Sequence, residues 1–266
     1  MLDLEATDVP HRWRLTIENK HCTGPVARRF LFGGIGMAAS IQALEKACER
    51  PVIWATAQYL SFAGVGMVLD VDVKTQVSGR LTSQANVLVH NEEKNILSVQ
   101  AALGARENDS IDQWVAMPNV RQPEDCEEAR YWRGDGSGLN ARIEIRVALG
   151  AFHGDPRIRE RGDGRLVFWL RSREGHTASA SLLAIAADYV ASGIAGATGL
   201  HAGGNSLDNT IRYANIVPCE WILCDVMIES LTQGIVHGRI RLYSPDGILM
   251  AIASQSMILR VHTRPQ

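Results

Sequence analysis

Residues 181–194 read SLLAIAADYVASGI, an apolar run interrupted by one carboxylate, Asp188. Burying an ionised carboxylate without partners costs several kcal/mol or forces its pKa upward. A carboxylate at this place is therefore either partnered or employed, and the chemistry open to a partly desolvated one is proton abstraction near neutral pH.

Two more polar side chains stand out in the second half. Ser206 lies in HAGGNSLD, residues 201–208, which imitates the G-x-S-x-G elbow of serine hydrolases. Asp208 replaces the last glycine, however, and the remaining chain reads as strands without room for the usual Asp and His partners. The plain alternative is a turn hydroxyl at the start of a strand. Gln255 sits among apolar neighbours in LMAIASQSMIL, and a buried amide needs partners, in a site or as a bridge between strands.

In the first half, Gly33 and Gly34 open GGIGMAASIQALEKACE. They would let a helix N-terminus approach another backbone or a ligand carbonyl. Gly34, Gly36 and Ala39 also match G-x-G-x-x-A, but the next strand, PVIWATAQYL, carries no acid and strands rather than helices follow, which argues against a dinucleotide site. Arg161–Asp163 in RERGDGR reads as a charged turn. The eight His show no metal-ligand spacing,.

The elements that must position these groups form a pattern. Two helix-like segments, 33–49 and 179–194, are each followed by strand-rich tracts,. After the first come PVIWATAQYL, MVLDVDVKTQV, LTSQANVLVH and ILSVQAALGA; after the second come NTIRYANIV, WILCDVMIES, IVHGRIRLYS and ILMAIASQSMIL. Sliding the chain by about 150 residues lays AQYLSFAG on NTIRYANI and NEEKNILSVQAAL on SPDGILMAIASQS, a weak internal repeat. At 266 residues the chain is near the upper limit of a single core,. The expectation is two units, 1–105 and 139–266, each a helix wrapped by an antiparallel sheet, joined by a charged, Pro- and Gly-containing linker at 106–138. The same shift sets Asp188 opposite small residues of the first helix, Ser206 near Trp54 and Gln255 near Leu103. The polar trio thus exists in one unit only, which points to function rather than to a requirement of the fold.

Composition narrows the partners. With 46% hydrophobic and 21% charged residues and a net charge of −2, there is no electrostatic reason to expect nucleic acid or an anionic membrane. The run between Asp188 and Asp208 is rich in Gly, Ala and Ser, too weakly apolar to span a bilayer. No apolar leader core is expected near the start. Five Cys without a C-x-x-C support neither a disulfide framework nor zinc,, so a reduced cytoplasm is the expected compartment.

The segments RFLFGGIGMAASIQAL, YLSFAG, MPNVRQPEDCEE, AADYV, SLDNTIRY, EWILCDV and DGILMAIASQSMILR together resemble the acyl-CoA thioesterase II family, over roughly residues 20–262. That resemblance implies an α+β double hotdog fold and hydrolysis of acyl-CoA by water attack, without a metal or redox cofactor. It carries the family's catalytic Asp onto Asp188, its hydroxyl onto Ser206 and its late Gln onto Gln255. Ser206 stands where Thr is common, QSM replaces Gln-Glu-Gly, and the first unit lacks the family's His and Arg-Pro. The implied partners are an acyl-CoA substrate and a further copy of the chain. The other reading open at this point is a non-catalytic acyl-CoA binding protein on the same fold.

Overall fold

Two helical tracts pack against each other and against an antiparallel sheet. The computed structural model describes residues 2–106, 108, 110–129 and 135–262. Strands β1 (Glu5–Ala6) and β2 (Arg12–Thr16) lead to the paired β3 (Cys22–Thr23) and β4 (Phe30–Leu31), then helix α1 (Gly33–Cys48). Strands β5 (Val52–Tyr59), β6 (Val68–Ser78), β7 (Thr82–His90) and β8 (Asn95–Gly104) follow. The second half brings β9 (Glu127–Glu128), β10 (Ile143–Leu149), β11 (Arg165–Ser172), α2 (Ala180–Ala187), α3 (Ile194–Thr198), β12 (Ala202–Ser206), β13 (Asp208–Tyr213), β14 (Ile222–Thr232), β15 (Ile235–Tyr243) and β16 (Leu249–Val261).

Fourteen of these strands form one sheet, in the order β1-β2-β6-β7-β8-β5-β13-β16-β15-β14-β11-β10-β9, with β12 added on β16. The halves meet where β5 pairs with β13, Thr56 opposite Thr210, and their hydroxyl oxygens lie 3.1 Å apart. Strands such as β7 and β15 bury alternate residues, as a pleated sheet with one face on a core must,. That face covers the helices: Ile35, Met37, Ile41 and Leu44 of α1 and Leu183 and Ile185 of α2 are all buried in one cluster with Val99, Val226 and Met257. Each fully buried aliphatic contributes roughly 1.5–3 kcal/mol.

The second helix is not the continuous α-helix that the apolar run suggests. Ser179 caps α2, its hydroxyl accepting from the Leu182 N–H at 3.3 Å, but from Asp188 to Gly193 the chain tightens into a 3₁₀ helix before α3. Such a mid-helix tightening is typical of strained or functional positions, and here it coincides with the carboxylate. The stretch Ala180–Thr198 has the length and apolar content to cross a membrane, yet most of it is buried here as a core helix.

Segment 106–138 is more than a tether. Residues 107, 109 and 130–134 lie outside the described residues, but Met117, Val120 and Cys126 pack on the sheet. Strand β11 is apolar almost throughout because both of its faces are covered. Leu166, Phe168 and Leu170 face the helices, while Val167 and Trp169 meet Leu223, Tyr243 and Cys126, with Met117 and Val120 packed alongside. The Trp169 indole N–H donates to the Arg121 carbonyl at 2.8 Å, the Gln113 amide donates to the Gly247 carbonyl at 2.9 Å, and β9 extends the sheet beside β10.

Candidate active site

Asp188 stands at the C-terminal end of α2, 6% exposed. Its carboxylate oxygens are held from two sides. Oδ2 accepts the Gly34 backbone N–H at 2.7 Å, and Oδ1 accepts Gln255 Nε2 at 2.5 Å. Burial dominates and raises the carboxyl pKa to about 6, against the opposing pull of the Gly34 amide and then of Gln255,. The outcome is a carboxylate that is ionised at neutral pH yet basic enough to take a proton from water.

Gln255 points inward from β16, where Ala253, Gln255 and Met257 alternate on the buried face, and it is 2% exposed. Its Nε2 also donates to Ser206 Oγ at 2.7 Å, at the end of β12. An amide nitrogen carries two hydrogens, so Gln255 spends both on Asp188 and Ser206. The three residues that the sequence singles out are thus one connected group. Asp188, Ser206, Gly33 and Tyr59 line a cavity of about 170 Å³ whose apolar wall includes Phe32 and Leu97. Gln255 is not on that wall, and it braces the other two from behind.

The glycine pair divides its work. A Cβ on Gly34 would lie 2.9 Å from the Ile185 Cα, so α1 and α2 approach this closely only with glycine there,. The Gly34 N–H, expected to face a ligand carbonyl, is taken by Asp188 instead. Gly33, the first residue of α1, faces the cavity. The helix amides and dipole then favour negative charge at Asp188.

Ser206 has no hydrogen bond to a histidine among the described residues, and the helix–strand alternation of a serine hydrolase is missing. The Gly34–Ala39 spacing opens a helix followed by antiparallel strands, not a βαβ unit. No group of His, Cys, Asp or Glu able to hold a metal occurs among the described residues.

Two residues of the site carry little or no signal in the sequence. Tyr59 ends β5, and its hydroxyl is buried beside Asp188. Asn209 of β13 is fully buried and lies within electrostatic reach of both Asp188 and Tyr59, without an aligned hydrogen bond to either. An Asn inside an otherwise β-prone stretch, NTIRY, was the available signal, because Asn is depleted in strands. Tyr59 left none, since an aromatic is ordinary in a strand.

Known proteins share this fold. A family model for the acyl-CoA thioesterase C-terminal domain matches residues 123–259. Among solved structures, a candidate thioesterase from Novosphingobium aromaticivorans is 32% identical, with 97% of this chain and 98% of that one aligned and a TM-score of 0.87. An acyl-CoA thioesterase II from Mycobacterium marinum (19% identity, 98% and 97% coverage, TM-score 0.75) and a hot dog fold protein from Alicyclobacillus acidocaldarius (15%, 98% and 97%, TM-score 0.82) share the fold. No curated protein sequence matches the chain. The fold and the family model define a thioesterase of the hotdog class. Within that class, the chain belongs to the acyl-CoA thioesterase II family.

Proposed function

We propose that this protein hydrolyses acyl-CoA thioesters by direct attack of water, with Asp188 as general base. The observation that carries the reading is the buried Asp188 carboxylate, basic near neutrality, opening on an apolar cavity beside Ser206. A nucleophilic water must give both hydrogens away from the substrate and turn a lone pair toward the carbonyl carbon. Asp188 accepts one hydrogen, and Ser206 Oγ, which already accepts from Gln255, has a second lone pair for the other,. Gln255 fixes both acceptors without touching the water.

As the water oxygen bonds to carbon, its proton passes to Asp188 and the carbonyl π pair moves to oxygen at the N-terminal end of α1, near Gly33. Collapse of the tetrahedral intermediate expels the CoA thiolate, which takes the proton back from Asp188. A positioned base of this kind is worth roughly 10²- to 10⁴-fold. We read residues 1–105 and 139–266 as two hotdog units, with 106–138 as the linker between them.

Incubation with acyl-CoAs of graded chain length, following release of free thiol, tests the proposal. Thiol release on at least one ester is expected. Tight binding with no release would instead favour a non-catalytic acyl-CoA binding protein.

A further inference from the structure

Around Asp188 the Tyr59 hydroxyl, the Asn209 amide and Gln255 Oε1 are buried without a hydrogen-bond partner among the described residues, and of these three residues only Tyr59 lines the cavity. A Cβ built on Gly33 would lie 2.9 Å from Tyr59 Cζ and also 2.9 Å from Asp188 Oδ2, so the phenol and the carboxylate converge on the start of α1. The Tyr59 oxygen is shut off from solvent and has no hydrogen-bond partner among the described residues. It cannot be explained as a support for Asp188, whose oxygens are held by Gly34 and Gln255. Asn209 lies close by but makes no aligned bond to it; buried hydroxyls are nearly always bonded, so one left over in a residue of the cavity wall has room for an acceptor that arrives with the ligand,.

We propose that the Tyr59 hydroxyl donates a hydrogen bond to the thioester carbonyl oxygen and stabilises the oxyanion that forms there. The inference rests on the hydrolytic reading above. With the water held by Asp188 and Ser206, the carbonyl carbon faces that pair and its oxygen falls toward Tyr59 and the first turn of α1. When the C–O bond to water forms, the oxygen gains the π electron pair, and the Tyr59 O–H···O bond strengthens without transfer of the proton. Burial, then the Asp188 and Asp208 charges, holds the phenol pKa well above its usual value, which keeps the group a donor wherever Asp188 is ionised. No charge is spent on the substrate before reaction, so the interaction favours the transition state over the bound ester.

The test is Tyr59→Phe, which deletes the oxygen and keeps the ring. Kinetics are measured on the best acyl-CoA and on its dithioester analogue, whose C=S accepts hydrogen bonds poorly. The expected result is a kcat about 10²-fold lower on the ordinary ester, with KM nearly unchanged, a much smaller loss on the dithioester, and a Tm held or raised. A wild-type kcat, an equal loss on both substrates, or a lowered Tm would overturn the assignment. Asp188→Asn run in parallel separates the two levels. If it is inactive while Tyr59→Phe behaves as wild type, only the oxyanion donor is wrong. If it is fully active, or if the wild type cleaves no thioester, the hydrolytic reading fails and this one with it.

Discussion

Replacing Asp188 by Asn should make the protein more stable at neutral pH and nearly inactive, and the pH dependence of the first effect identifies the charge as its cause. The carboxyl pKa is 3.8 in an unstructured chain and about 6 when folded. Two pKa units at 1.36 kcal/mol each amount to about 3 kcal/mol. The sign follows from proton uptake. Between pH 4 and 6 the folded state keeps a proton that the unfolded state has released, so this group's contribution to stability falls as pH rises through that window and is level above it. Asn carries no charge and removes that slope. Its amide presents a donor where the carboxylate had an acceptor, but rotation of the Gln255 amide restores a match, since Gln255 Oε1 has no other partner. Urea unfolding of both proteins from pH 4 to 7, which spans most of that window, should therefore show the variant gaining about 2 kcal/mol on the wild type, while thiol release drops by at least ~10²-fold. A stability difference that does not change with pH would mean that Asp188 is not a buried, desolvated acid. Wild-type turnover would mean that it is not the base.

Wild-type kcat/KM should rise with pH through about 6 and then level off, because only ionised Asp188 accepts the water proton,; a thiol assay usable in acid reads this limb, which should vanish in Asp188→Asn. Ser206→Ala removes one of the two acceptors for the water, costing about 1–3 kcal/mol in activation free energy and leaving measurable activity. Intact-mass measurement during turnover should show no acyl adduct, and an adduct on Ser206 would contradict water attack. Gly34→Ala places a Cβ against the Ile185 backbone, so α1 and α2 must separate. A stability loss on the order of 1–3 kcal/mol, with a fall in activity as the Gly34 N–H leaves Asp188, should be visible in the melting curve and the thiol assay.

Much of the site is legible in the sequence alone. A carboxylate inside SLLAIAADYVASGI is conspicuous because charge is costly in an apolar run, and Gln255 and Ser206 are conspicuous for the same reason in strands. The tracts after each helix were readable from period-2 alternation, and both occur as antiparallel strands. Periodicity says which face of an element is buried, but not which neighbour covers it. The apolar run RLVFWLRS could not reveal that Val167 and Trp169 are covered by the connecting segment rather than by a helix.

What only the tertiary structure decided is the wiring. Asp188 meets a backbone amide 154 residues away, Gln255 meets Asp188 across 67 residues, and Gln255 meets Ser206 across 49. The first depends on the crossing of α1 over α2, and the Gln255 bonds on where β16 sits against β12 and the end of α2, which no local pattern encodes. The same crossing gives the Gly34 amide to Asp188, and the pairing of β5 with β8 and β13 brings Tyr59 beside that carboxylate. A hydrogen bond is decided within a few tenths of an ångström and tens of degrees, whereas a residue's place in a hydrophobic pattern locates it only to one side of an element.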